Sequence, residues 1–158
     1  MKKVNLLIFI ILFLPLRAYS YTTYNYNNTK HLHYESSYQH AWCSAHKGIE
    51  EYENSDSTRV DCLTSTHAVE FDFANKWAES VGQALHYQKM TGKKGKVVLI
   101  LENPQKEIVY FNRVKDLGEL HNFDVEYVTP QILCVKEDGT CPYLDCKCNK
   151  QKQKVQCK

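Results

Sequence analysis

The sequence feature that most constrains the fold is a short run in which apolar and acidic residues alternate. Val69, Phe71 and Phe73 alternate with Glu70 and Asp72. This is the period of two expected of a β-strand with one apolar and one polar face. The run therefore predicts a strand that carries both carboxylates on the same side.

A second β-rich run, 58–63, carries Asp61 at its centre and precedes this strand by only a few turn-forming residues. The two runs are predicted to form a hairpin, on which three acids converge. Like charges within a few ångströms resist joint ionisation, so such a cluster usually takes up protons or holds a cation. A hard divalent ion is the natural occupant.

An amphipathic helix is predicted over 74–91, directly after the acidic strand. Its expected buried stripe is Trp77, Val81 and Leu85, which recur at helical spacing. A different stripe combines four polar or aromatic residues at i, i+3, i+7 and i+11: Lys76, Glu79, Gln83 and Tyr87. The helix thus presents a lysine and a glutamine near the end of the acidic strand.

This ordered set resembles the PD-(D/E)XK nuclease superfamily, and especially its RecB-nuclease-like branch. The resemblance covers roughly residues 34–128 and is carried by Asp61, Glu70 and the pair Gln83 and Tyr87, which match the family's Gln-x-x-x-Tyr motif. It implies a restriction-endonuclease-like fold, Asp61 and Glu70 as ligands of Mg²⁺ or Mn²⁺, and DNA or RNA as the substrate. The Gln-x-x-x-Tyr motif would support the site and its nucleic-acid contacts.

The chain departs from the family pattern at the lysine that orients or activates water. Asp72 stands at that position. Some family members supply the lysine from the following helix, so the resemblance makes Lys76 the candidate. Glu35, on a predicted first helix, is a candidate acid near the metal or else a solvated surface acid. Glu51 is an auxiliary ligand or else an exposed acid of an edge strand.

The remaining periodicities predict an α/β domain with a mixed central sheet flanked by helices. A helix is expected over 31–46 and ends at Gly48, and a first strand is expected over 49–53. A loop is expected over 92–96, followed by a buried strand at 97–101 that is parallel to a neighbour. A helix over 107–121 and a strand over 125–128 complete the order αβββαβ followed by αβ. The nuclease-like domain is predicted to span 31–130.

The first 20 residues are predicted to be a cleavable signal peptide. Lys2 and Lys3 precede the apolar run 6–16, and small residues follow near 18–20. The apolar run is shorter than the roughly 20 residues that a bilayer span needs. We therefore expect a periplasmic or secreted protein without stable membrane association, beginning with an extended arm over 21–30. An uncleaved anchor is the alternative.

Charge does not identify the protein as a nucleic-acid binder. Lys2, Lys3 and Arg17 would leave with the signal peptide, so acidic residues would slightly outnumber basic ones. All acids lie at or before Asp145, and five lysines follow it. A basic tail could bind phosphates, or it could be simply solvated.

The seven cysteines of an exported chain indicate disulfides. Four of them lie in the predicted Cys/Lys-rich C-terminal extension, 131–158, which has few large apolar residues: Cys141, Cys146, Cys148 and Cys157. Their spacing differs from that of a Cys-x-x-Cys zinc site, which leaves zinc as the less favoured alternative. Because the number of cysteines is odd, one is left over, and we expect it to be a buried thiol at Cys43 or Cys62.

Two functions follow as hypotheses. The first is an exported, metal-dependent nuclease in which Asp61 and Glu70 hold the ion, Lys76 and Gln83 complete the catalytic set, and Asp72, Glu51, Glu35 and Tyr87 are auxiliary. The second is a nuclease-like fold without chemistry that acts as a binding or structural module. Asp72 in the lysine position and the acidic body favour the second.

Overall fold

A computed structural model describes residues 31–134 of the chain. The predicted signal peptide, the arm over 21–30 and nearly all of the predicted C-terminal extension lie outside the described residues. Three helices and five strands follow one another in the order α1 (Glu35–Ala45), β1 (Ile49–Glu53), β2 (Arg59–Leu63), β3 (His67–Phe73), α2 (Trp77–Thr91), β4 (Lys94–Ile100), α3 (Pro104–His121) and β5 (Asp124–Val128). Single 3₁₀ turns precede α2 and follow β5.

The five strands form one mixed sheet in sequence order. The pairs β1–β2 and β2–β3 are antiparallel, whereas β3–β4 and β4–β5 are parallel. Each parallel connection contains a helix, α2 or α3, as a crossover connection requires. The predicted α/β class with a mixed sheet flanked by helices is therefore confirmed.

The hydrophobic core lies on both faces of the sheet. On one face, Tyr38 and Trp42 of α1 pack with Phe71 of β3 and with Leu133 of the last 3₁₀ turn. On the other face, α2 and α3 cover residues of β4 such as Val97 and Leu99. Consequently β3 is buried from Ala68 to Phe73, and the polar face predicted for it lies under α2 instead of in solvent.

Two details of the helices and strands differ from the sequence expectation. Strand β4 begins at Lys94, inside the predicted loop, because this segment pairs with β3 and its lysines reach Asp124 and Glu126 on β5. In α2 the fully buried positions are Ser80, Ala84 and Tyr87. The predicted stripe of Trp77, Val81 and Leu85 is only partly buried, against a core cluster that includes residues of β4 and α3.

One disulfide, between Cys43 and Cys62, joins α1 to β2. The expectation that one of these two cysteines is the unpaired thiol is therefore wrong. Both sulfur-bearing side chains are fully buried, and the α1 helix brings Cys43 directly over β2.

The segment before α1 is fixed to the end of β4 by a single carboxylate. Glu102 Oε1 accepts hydrogen bonds from the backbone N–H groups of Leu32 and His33 and from the hydroxyl of Tyr38, and Oε2 lies 3.0 Å from His31 Nδ1. These contacts set the position from which α1 begins.

Within the described part of the chain, no helix is both long and apolar enough to cross a membrane.

Helix α3 approaches β5 so closely that one helical position has room only for glycine. A Cβ on Gly118 would lie 2.7 Å from Val125 Cγ2 and 2.8 Å from the Phe123 carbonyl oxygen. We expect Gly118→Ala to lower the free energy of unfolding by about 1–3 kcal/mol through overpacking. Urea denaturation measures this change.

Gly82 of α2 provides the matched control, because a Cβ there would meet nothing within 4 Å. Gly82→Ala should raise the free energy of unfolding by about 0.5–1 kcal/mol, since alanine is the better helix former. Equal effects of the two substitutions would contradict the close approach of α3 and β5.

Candidate active site

The candidate site lies where β2 and β3 separate. The register pairs Leu63 with Ala68 and Cys62 with Val69. At the next residue of β2, Asp61, the regular backbone pairing with β3 ends. The Phe71 N–H donates instead to the side chain, to Asp61 Oδ2, over 2.7 Å. The Asp61 carboxylate thus stands in place of a strand carbonyl, at the fork between the two strands.

Glu70 points from β3 toward α2 and is 3% exposed. Gln83 Nε2 donates to Glu70 Oε1 over 2.7 Å, and the Tyr87 hydroxyl donates to Gln83 Oε1 over 3.2 Å. Among the described residues, no donor reaches the buried Glu70 Oε2. Gln83 and Tyr87 therefore orient one oxygen of Glu70. The carboxyl group of Glu70 is also close enough to Asp61 for the two side chains to share a proton, which contributes to the raised pKa of Glu70.

Asp72 occupies the next position on the same face of β3 and is 2% exposed. Lys76, half exposed at the end of the 3₁₀ turn before α2, places Nζ 3.4 Å from Asp72 Oδ1. The Phe73 N–H donates to the same oxygen. The lysine that directly precedes α2 thus forms an ion pair with the buried Asp72.

Four acids influence one another across this site, and burial is the first cause of each pKa shift. Burial and the charges of Asp72 and Asp61 raise the pKa of Glu35 to about 8. Burial and the charges of Asp61, Asp72 and Glu35 raise the pKa of Glu70 to about 10. Burial also raises the pKa of Asp61, to about 6, and that of Asp72. The cluster therefore holds protons at neutral pH, as crowded carboxyl groups do.

These shifts predict that the metal-free protein loses stability as pH rises. Each folded-state pKa lies above the ordinary carboxyl value of about 4, so the folded state binds protons more tightly than the unfolded state. The resulting stabilisation is complete below about pH 4. It should be lost as pH rises through the pKa values of Asp61, Glu35 and Glu70, about 6, 8 and 10.

Urea denaturation in the presence of a chelator, at pH values between 5 and 10, measures this loss. Glu119→Gln, which removes an exposed acid of α3, should leave the pH dependence unchanged. A free energy of unfolding that rises over this range would contradict the protonated cluster.

The remaining predicted residues reach the site from β1 and α1. Glu51 is exposed on β1, and its charge contributes to the raised pKa of Asp61. The Glu35 side chain reaches the cluster from α1, which joins β1, β2, β3 and α2 as the fifth element at the site. Sequence reasoning missed Gln39, a buried residue of α1 that donates to Glu51 Oε1 and to the Asp61 carbonyl oxygen. Its position one turn after Glu35 was the available signal.

His67 lies on the acidic strand and His86 lies between Gln83 and Tyr87, but both histidines contact partners outside the acid cluster. His67 Nε2 lies 2.8 Å from Asp124 Oδ2, and Nδ1 lies 2.8 Å from Thr66 Oγ1. His86 Nε2 lies 2.7 Å from Asp56 Oδ2. Neither ring has a hydrogen bond to Asp61, Glu70 or Asp72 in the described structure.

The donor set fits a hard divalent cation in kind, because Asp61, Glu70, Asp72 and Glu35 supply only oxygen. The buried Glu70 Oε2 is also an acceptor that lacks a donor, and such an atom is costly to bury unless something compensates it. However, over residues 31–134 no three or more His, Cys, Asp or Glu side chains are grouped so that they could hold a metal ion.

No family model, curated protein or solved structure matches this chain.

Proposed function

We propose that the protein is a divalent-metal-dependent nuclease that hydrolyses phosphodiester bonds in DNA or RNA, with Mg²⁺ or Mn²⁺ as its cofactor. We further propose that its fold is the restriction-endonuclease-like fold. The order of a helix, three antiparallel strands, a second helix and a parallel strand supports this assignment. It is the order of the PD-(D/E)XK core.

The observation that carries the proposal is the buried Glu70 carboxylate. One of its oxygens accepts a hydrogen bond from Gln83, and the other is buried with no donor from outside the acid cluster. Glu70 also lies among three further acids, in a site where burial opposes ionisation. A divalent cation would neutralise these charges and would also remove the repulsion that they exert on a phosphate backbone.

Each residue then has a distinct role. Asp61 and Glu70 would hold the ion, which when bound polarises a phosphoryl oxygen and activates water. Gln83 fixes the orientation of Glu70, and Tyr87 fixes that of Gln83. Glu35, Glu51 and Asp72 tune the negative charge of the site.

Lys76 would act as a fixed positive charge beside the substrate. Desolvation acts against its ammonium group, but the charges of Asp72 and Glu35 raise the pKa of Lys76 above its ordinary value. The side chain is therefore protonated at neutral pH, which suits it to stabilise charge on the phosphate and excludes it as the base that deprotonates water.

The proposed nuclease acts outside the cytoplasm, in the periplasm or after secretion. The amino-terminal sequence pattern supports this localisation. The Cys43–Cys62 disulfide supports it independently, because disulfides persist mainly in oxidising compartments.

A binding module without chemistry is the second candidate. It is favoured by Asp72, which stands where the resembled family has its lysine and is paired with Lys76. It is also favoured by the arrangement of the acids, because over residues 31–134 no three His, Cys, Asp or Glu side chains are grouped so that they could hold an ion. In this case the protein would act as a binding or structural module and would not cleave nucleic acid.

A cleavage assay separates the two candidates. Purified protein beginning at Tyr21 would be incubated with plasmid DNA and with RNA, in Mg²⁺, in Mn²⁺ and in a chelator. We expect cleavage with either ion and none in the chelator. Asp61→Asn, purified in parallel, should be inactive, whereas a contaminating nuclease would remain. Intact substrate under all conditions, together with no ion binding by calorimetry, would contradict the nuclease assignment.

A further inference from the structure

One face of α1 makes three successive contacts with the site and with the strand beside it. Glu35 reaches the acid cluster, Gln39 reaches Asp61 and Glu51, and Cys43 is bonded to Cys62. The three positions are four residues apart, so they lie one above another on the helix. Helix α1 thus holds β2 at two successive residues: by a hydrogen bond to the Asp61 carbonyl and by the disulfide to Cys62.

Gln39 occupies the centre of this face and is 5% exposed. Its Nε2 donates to the Asp61 carbonyl oxygen over 2.7 Å and to Glu51 Oε1 over 2.8 Å. The amide group of Gln39 thereby donates one hydrogen bond to β1 and one to β2. It does so at Glu51 and Asp61, the position at which the register of these two strands is interrupted.

The irregularity is visible in the backbone of β1. The register pairs Glu50 with Cys62 and Tyr52 with Val60, while Glu51, between them, has a φ of 53°. A residue with a Cβ rarely adopts this left-handed conformation, and it persists only where the surroundings impose it. The hydrogen bond from Gln39 to the Glu51 side chain is one such constraint.

The same residue, Asp61, is held at both its backbone and its side chain. With its carbonyl held by Gln39, Asp61 places Oδ2 on the Phe71 N–H, beyond the last paired residues of β2 and β3. A free Asp61 carbonyl could return to the strand ladder, and the carboxylate would then leave the fork.

We propose that Gln39 is a positioning residue of the site, which holds the Asp61 backbone so that the Asp61 carboxylate is presented to a divalent cation. This inference rests on the proposed metal-dependent function. A residue outside the first coordination shell that orients a ligand typically contributes a factor of about 10–100 to metal affinity.

Gln39→Met tests the inference, because methionine has a similar length and no donor. We expect the Mn²⁺ dissociation constant, measured by calorimetry, to rise by about tenfold or more. Cleavage at saturating Mn²⁺ should fall much less than cleavage at low Mn²⁺. In the metal-free protein, the Phe71 amide proton should shift in the NMR spectrum and exchange faster, because its acceptor has moved.

His40→Gln is the matched control. His40 lies on the same helix as Gln39, but it contacts the exposed Glu50, which is not a residue of the site. It should leave Mn²⁺ affinity and the Phe71 amide unchanged. Should Gln39→Met not fold, Gln39→Asn retains the amide but is too short to reach both acceptors, and the same changes are expected of it.

Three results would overturn the inference, and the Mn²⁺ affinity and the Phe71 amide signal together distinguish them. A Gln39 variant with lower stability but unchanged Mn²⁺ affinity would show a role in folding alone. An unchanged Phe71 amide would show that Gln39 does not orient Asp61. Wild-type protein that binds no Mn²⁺ but shows the amide shift in Gln39→Met would overturn the proposed function, and the role of Gln39 in presenting a ligand with it.

Discussion

Glu70→Gln is expected to abolish metal-dependent cleavage and, at the same time, to stabilise the metal-free protein at high pH. The amide keeps the size of the side chain and can still contact Gln83, but it has no charge for a cation. A metal ion contributes several kcal/mol to stabilising a phosphoryl transition state, so cleavage should fall on the order of 10³-fold.

The opposite sign of the stability effect makes this prediction specific. At about pH 9 the Glu70 carboxyl, with its pKa near 10, begins to ionise in a buried site, whereas glutamine remains neutral. Glu70→Gln should therefore reduce the loss of unfolding free energy between pH 7 and 10. Urea denaturation in a chelator measures this effect, and calorimetry measures the loss of Mn²⁺ binding.

Glu79→Gln is the control for Glu70→Gln, because Glu79 is an exposed acid on the same helix as Gln83. Cleavage and the pH dependence of stability should both remain close to those of the wild type. Retention of cleavage in Glu70→Gln would remove Glu70 from the site, and a steeper loss of stability at high pH would contradict its protonated state.

Loss of the Cys43–Cys62 disulfide is expected to lower the free energy of unfolding by about 3 kcal/mol. The bond closes a loop with a sequence separation of 19 residues, which includes β1 and the turn after it. Opening this loop returns conformational entropy to the unfolded chain. Chemical denaturation of Cys43→Ala, Cys62→Ala and the double variant measures the change.

The three variants form their own control. If the disulfide bond accounts for the stabilisation, each single variant should lower the free energy of unfolding nearly as much as the double variant, because either substitution removes the bond. If the two sulfurs contribute only as packed side chains, the double variant should cost the sum of the single variants. Additive costs would therefore contradict a stabilising disulfide.

The regular parts of the fold could be predicted because their sequence periods follow their burial. Strand β3, helix α2 and the order of the elements come directly from periods of 2 and 3.6 residues. The start of β4 could not be predicted in this way. Lys94, Gly95 and Lys96 have the composition of a loop, and they form a strand because they pair with β3 and reach acids on β5.

The candidate site shows the same division. Asp61, Glu70 and Asp72 lie on strands whose pattern is visible, and Gln83 and Tyr87 are one turn apart on a helix, so their convergence could be expected. Gln39 was missed because a single glutamine in a helix carries no periodic signal, and its position one turn after Glu35 was the only indication. The partner of Cys43 could not be identified either, because spacing alone does not determine disulfide connectivity.

The contacts of Glu102 determine how far the beginning of the chain can be shortened. Trimming that stops before His31 removes none of its described partners. Trimming past His33 would remove three of the four hydrogen-bonding groups around this carboxylate, and only the Tyr38 hydroxyl would remain. We therefore expect truncation past His33 to destabilise the start of α1, and a protease that cuts at residues 31–33 would release the anchor of the helix that carries Glu35, Gln39 and Cys43.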